Sequence, residues 1–186
     1  MTLKEMKTKV LALIEELNPE HEALTEDPDI ALKINEVINQ IMIELACVKK
    51  IPKYVELEVN KGDIIKFADI EEECEYEVYQ VKCIQGVAYD TKADGTVYKI
   101  RESGTAEIDV FVFPERITSK TKDGYEFELT SDVLEIMPYG VAADLLKSDV
   151  SADFGSVYAK RFEEMKQNLD PRYQLGSIYI EGGVSI

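Results

Sequence analysis

Tryptophan is absent from this chain of 186 residues, and its one histidine, His21, stands in the most acidic connector. Without indole a sugar-stacking platform is weakened, and one imidazole cannot make a two-histidine metal site. Cysteine is sparse too. Cys47, Cys74 and Cys83 are odd in number and match neither a zinc motif nor a redox CxxC, so they read as reduced thiols of an intracellular protein. No glycine falls in GxGxxG or GxxxxGKS spacing and no GxSxG elbow occurs, which removes the signatures of nucleotide cradles and of a serine hydrolase. Positive charge is also in deficit. Lys and Arg number 21 against 37 Asp and Glu, giving a formal charge of -16 that opposes general attraction to phosphate backbones and anionic lipid. No apolar run approaches the roughly 18 to 20 residues of a membrane helix, and the apolar residues of MTLKEMKTKVLALIEEL are spaced, not continuous. We therefore expect no signal peptide, no membrane span, no cofactor, no bound metal and no enzymatic activity.

What the chain does have is a globular balance, 45% hydrophobic and 31% charged, in a length that fits one domain or one domain carrying an insertion. Thr2 followed by Glu5 has the spacing of a capping box. Leu3, Met6, Val10, Leu13, Ile14 and Leu17 then recur at helical intervals until Asn18-Pro19. Asp27-Pro28 opens a second helix that reaches about Lys49, with Ile30, Ile34, Val37, Ile38, Ile41, Leu45 and Val48 on one stripe. Leu32, Met42 and Ile43 widen that stripe, which points to more than one neighbour.

After Pro52 the period becomes two. Val55, Leu57 and Val59 alternate with polar residues, and Asn60-Lys61-Gly62 suggests a hairpin into GDIIKF. Residues 76–83, 86–90, 96–100 and 105–113 add strands, with Asp94-Gly95 as a turn between two of them. No crossover helices intervene, so the block reads as antiparallel. Helical spacing returns at Thr130-Ser131-Asp132. Pro138 is expected to break that helix, and Ser148-Asp149-Val150-Ser151 to cap a last one over about 152–168, with Phe154, Val157, Tyr158, Phe162 and Met165 as its stripe. The expectation is an α+β fold: a helical bundle built from the N- and C-terminal helices (residues 1–51 and 129–172), with an inserted antiparallel β-sandwich or small barrel (52–128) and an extended tail (173–186).

Candidate chemistry is thin. His21 beside Glu20 and Glu22 reads as solvated. The acids from Asp69 to Glu77 read as a solvated charge run on a strand or loop, and DTKADG at 90–95 lacks the distal glutamate of a calcium loop. Lys49, Lys50 and Lys53, with Arg116, Lys120 and Lys122, read as partners for neighbouring acids. The tail is different: Tyr173, Leu175, Ile178, Tyr179 and Ile180 are apolar or aromatic and lie outside every helical stripe. Such a segment either folds back on its own chain or adds to a neighbour's surface.

DPDIALKINEVINQIMIELACVKKIP, a strand-rich middle and DVLEIMPYGVAADLLKSDVSADFGSVYAKRFEEMKQNLDPRYQLG together resemble virion neck proteins of tailed bacteriophages and prophages of Gram-positive hosts, the head-to-tail connector or adaptor family. The resemblance covers nearly the whole chain. It implies a structural subunit that assembles into an oligomeric ring at the portal protein, contacts neighbouring neck and tail proteins, lets DNA pass, and remains a monomer when isolated. It also implies residence in the virion and in the host cytoplasm during assembly, with docking through Leu32, Met42 and Ile43 and through the tail residues Tyr173, Leu175, Ile178, Tyr179 and Ile180. Tail completion, capsid decoration or an unrelated intracellular binding module are the alternative readings.

Overall fold

The computed structural model describes residues 1–92, 95–148 and 152–169. Within them the chain is α+β, with five α-helices and two antiparallel three-stranded sheets. Helix α1 spans Leu3–Leu13 and begins at the expected capping box. The Thr2 N–H donates to the Glu5 carboxylate at 2.8 Å, and the Glu5 N–H donates to the Thr2 hydroxyl at 3.2 Å. The helix ends before Asn18-Pro19, because Glu15 takes the left-handed conformation (φ 61°) just past the cap at Ile14. Leu17 leaves the helix but still packs on the core. Helix α2 covers Pro28–Val48, and the Asp27 carboxylate accepts from the N–H groups of Asp29 and Ile30 at 2.8 and 3.2 Å.

The middle of the chain runs β1 (Ile51–Val59), β2 (Ile64–Lys66), α3 (Phe67–Cys74), β3 (Val78–Gln85), β4 (Tyr89–Lys92), β5 (Val97–Ile100) and β6 (Gly104–Val112). Its sheets are ordered β1-β6-β3 and β2-β5-β4. Strand β1 pairs with β6 over nine residues, from Ile51 opposite Val112 to Val59 opposite Gly104, and β2 pairs with β5. The expected β1–β2 hairpin is therefore corrected: Asn60-Lys61-Gly62 moves the chain from one sheet to the other. Gly62, at φ 99°, donates to the Ile100 carbonyl at 2.9 Å and anchors that switch. Strands β4 and β5 do pair antiparallel, from Tyr89 opposite Ile100 to Lys92 opposite Val97; Asp94 lies outside the described residues.

Most of the acid run belongs to α3, not to a strand or loop. Asp69 accepts from the Lys66 N–H at 2.7 Å, Glu71 accepts from the Val78 N–H at 2.9 Å, and Ile70 is fully buried. These carboxylates serve the backbone. Ile70 joins Val55, Ile65, Ile84, Ile100 and Ile108 in one core shared by both sheets.

Helix α4 spans Ser131–Leu145, followed by a 3-10 turn at Leu146–Ser148 and α5 at Ala152–Gln167. Pro138 does not break α4, contrary to expectation. A proline inside a helix costs about 3 kcal/mol, but Val133, Ile136, Met137, Val141 and Ala142 are buried around it, and burying one such aliphatic side chain returns about 1.5 to 3 kcal/mol. In α5 only Phe162 of the expected stripe is buried; Tyr158 and Met165 are half-buried, and Phe154 and Val157 face solvent. Asp149, Val150 and Ser151 lie outside the described residues.

Helices from the two ends share one core, in which Leu3, Met6, Leu11, Ile38, Met137 and Phe162 meet. Ile117 and Phe127, from the return connection after β6, pack there as well. Polar contacts tie that connection and the strands to the bundle. The Asn39 amide donates to the Ile117 carbonyl and accepts from the Ile117 N–H, both at 2.8 Å. Lys49 pairs with Asp132. Burial would raise the Asp132 pKa, but hydrogen bonding to Lys49 outweighs it and holds the carboxyl down to about 2. Lys53 on β1 reaches Glu128 at 3.2 Å and lies over the Tyr76 ring, whose hydroxyl donates to the same carboxylate at 2.7 Å.

Candidate functional site

The sequence-derived docking residues separate in the fold. Leu32 is 80% exposed near the start of α2, and Ile43 is half-buried. Met42 is 0% exposed and packs in the bundle core, so it is removed from the docking set. The reason is periodic: Met42 lies four residues after Ile38 and three before Leu45, on the face those two bury. Tyr173, Leu175, Ile178, Tyr179 and Ile180 lie outside the described residues.

A groove of about 450 Å³ runs between α4 and α5, with α2 at its side. Its floor is made of small residues, Gly140, Ala143, Gly155, Ser156 and Ala159, flanked by Ile41 and Phe162. Two glycines let the helices approach this closely. A Cβ on Gly140 would lie 2.8 Å from the Phe162 ring and 3.1 Å from Ile41, and one on Gly155 would lie 3.1 Å from Leu146. The rim is charged but paired. Lys166 reaches Glu44 at 2.5 Å and Glu163 at 2.6 Å, and Lys147 reaches Asp144 at 2.7 Å. Burial would lower the Lys166 pKa, but hydrogen bonds to Glu163 and Glu44 outweigh it and raise it. Sequence reasoning missed this groove because its side on α2, Ile41 and Glu44, comes from about a hundred positions before the two helices that form its walls. Gly140 and Gly155, glycines inside helical text, were the available signal.

Outside the groove, helix α5 leaves Phe154 and Val157 exposed at 68% and 62%. The outer face of β1 and β6 sets Glu56 directly opposite Glu107, a like-charge cross-strand pair that costs stability. His21 is exposed, its Nδ1 accepting from the Ala23 N–H at 3.2 Å. Cys47, Cys74 and Cys83 are free thiols, and no group of three His, Cys, Asp or Glu able to hold a metal occurs among the described residues. Lys50 donates to Gln80 at 2.7 Å and lies over the Phe111 ring. No helix among the described residues is long and apolar enough to cross a membrane. No protein-family model matches this chain, and no curated protein is similar to it.

Proposed function

We propose that this chain is a structural virion subunit, a head-to-tail connector of the adaptor or head-completion type, which forms a ring on a phage portal protein and binds by contact, not by chemistry. The observation that carries the contact reading is the set of large apolar side chains left in solvent on the bundle helices: Leu32 on α2, Phe154 and Val157 on α5. The virion assignment is supported by the resemblance of residues 27–52 and 132–176 to neck proteins. The bundle closed by both chain ends, with strands inserted between them, accords with that resemblance.

Charge supports the same reading. A net charge of -16 per copy disfavours phosphate, so a duplex slides through a ring of such subunits without sticking, and the Glu56–Glu107 pair is a like-charge contact kept on an exposed face. Weak interfaces between copies gain stability from closure and from a templating partner, which leaves the isolated subunit monomeric.

Negative-stain imaging of the chain mixed with the portal protein of its own phage tests this. A ring of added density on the portal, from a subunit that is monomeric alone by light scattering, is the expected result. A portal that stays bare at saturating subunit overturns the proposal.

A further inference from the structure

We infer that two charged surfaces of this chain dock on each other between copies: a lysine surface, where α1 meets the return connection after β6, receives the acidic outer face of β1 and β6 of the next subunit. The inference deepens the ring reading and rests on it for closure. Two backbone bonds build the lysine surface. The Leu3 N–H donates to the Tyr125 carbonyl at 2.8 Å and the Lys4 N–H to the Asp123 carbonyl at 3.0 Å, which lays the start of α1 against the return connection. A turn in that connection, where the Thr118 N–H donates to the Thr121 hydroxyl at 2.9 Å, carries Lys120 and Lys122. Lys4, Lys7, Lys9, Lys120 and Lys122 stand here against three acids, Glu5, Asp123 and Glu126, whereas over the rest of the chain acids outnumber bases by more than two to one. Lys7 is half-buried and the other four lysines are exposed. Among the described residues none of the five makes an ion pair.

The complementary surface belongs to the strand module. Tyr54, Glu56 and Glu58 are exposed along β1, directly across from Asp109, Glu107 and Thr105 of β6. Lys82 answers Asp109 at 3.4 Å, which leaves Glu56, Glu58 and Glu107 without a cation among the described residues. Hydroxyl groups fix two of these carboxylates without neutralising them: Tyr54 donates to Glu56 at 2.9 Å and Thr105 to Glu58 at 2.6 Å. The Glu56–Glu107 pair is costly in a free subunit, and lysines laid over it relieve that repulsion. Glu56 lies about 17 Å along β1 from Ile51, at a strand rise of about 3.4 Å per residue, and no ion pair joins the two surfaces within one copy. Like surfaces repel, so a two-fold contact of either surface with itself is disfavoured. The attractive arrangement is head-to-tail, the type of contact that closes into a ring. Exposed ion pairs each contribute little, so the contact stays weak until closure or a template gathers several copies.

Sedimentation velocity on the full chain at about 1 mM protein and about 0.1 M salt reads this contact without a portal. The Debye length is then about 10 Å, so distant acids are screened while touching pairs are not. The sedimentation coefficient is expected to rise with concentration, and the rise to vanish at about 1 M salt. Lys120→Glu combined with Lys122→Glu, and Glu56→Lys combined with Glu58→Lys, are each expected to weaken self-association about tenfold or more. An equimolar mixture of the two double variants is expected to regain it, because each then offers the charge the other has lost. Carbodiimide coupling of the unaltered chain, half of it labelled with heavy nitrogen, covers the case in which a variant misfolds: mixed-isotope links are expected between Lys120 or Lys122 and Glu56, Glu58 or Glu107. Absence of self-association at about 1 mM, variants that associate like the parent chain, a mixture that stays monomeric, or mixed-isotope links confined to other residues each overturn the inference. A portal ring whose links lie elsewhere removes this contact and leaves the ring reading standing, whereas a bare portal beside intact head-to-tail association does the reverse.

Discussion

The helical bundle and the strand module are held together in opposite ways. The buried residues of the strand core all come from positions 46–112, whereas the bundle core joins α1 and α2 to α4 and α5 across that whole insertion. The bundle therefore closes a long loop before its contacts form, while the strands pair over shorter separations. Dependence between the two runs mostly one way. The strand core borrows Ala46 from α2 and is fastened through Lys53 to Glu128 in the connection before α4, so it leans on the bundle; Leu129 packs against both cores.

The largest test of this asymmetry truncates one core at a time. Met42→Ala and Ile108→Ala each remove a fully buried side chain, and each is expected to cost about 2–5 kcal/mol by denaturant unfolding. Native-state hydrogen exchange separates them: Met42→Ala lowers protection in α4 and in the strands, Ile108→Ala in the strands alone. Equal losses in both regions from either variant would make the chain one cooperative unit and dissolve the contrast.

A middle-sized effect is expected at Asn39. Asn39→Leu leaves the Ile117 N–H and carbonyl buried and unpaired, which costs about 1–3 kcal/mol. Exchange should quicken at residues 113–130 first. If β1 and β6 open before that connection does, Asn39 is not what fastens it to α2.

The smallest effect belongs to Lys49–Asp132. The folded carboxyl titrates at about 2 against an ordinary 3.8, so the pair contributes stability above the ordinary value and loses it as pH falls towards 2. Asp132 is 42% exposed, which limits the contribution at neutral pH to under about 1 kcal/mol. Asp132→Asn should melt slightly below the parent chain at pH 6 and together with it near pH 2. A gap that persists at pH 2 would assign the effect to the helix cap and not to the ion pair.

Local chemistry was readable from the sequence, and distant pairing was not. Thr2 with Glu5 and Asp27 with Pro28 each announced a helix start within a few residues, because a cap is satisfied by its own neighbours. The β1–β2 hairpin failed because the true partners, β6 and β5, lie tens of residues away. Helix α3 was hidden by its acids, whose roles as acceptors for Lys66 and Val78 are visible only in the fold. Pro138 misled because burial outweighed the lost backbone bond. The groove was illegible for the same reason as the sheet order, since Ile41, Gly140 and Phe162 meet only after the bundle closes.

The first and last strands of the insertion are hydrogen-bonded neighbours, with Ile51 opposite Val112. In an antiparallel pair that places the points of departure and return about 5 Å apart. Whatever projects from the helices is thus mounted on a two-pronged stem whose prongs touch. A turn of a few residues bridges the same gap, so the projecting part can be trimmed, lengthened or exchanged while the helices beneath keep their seats.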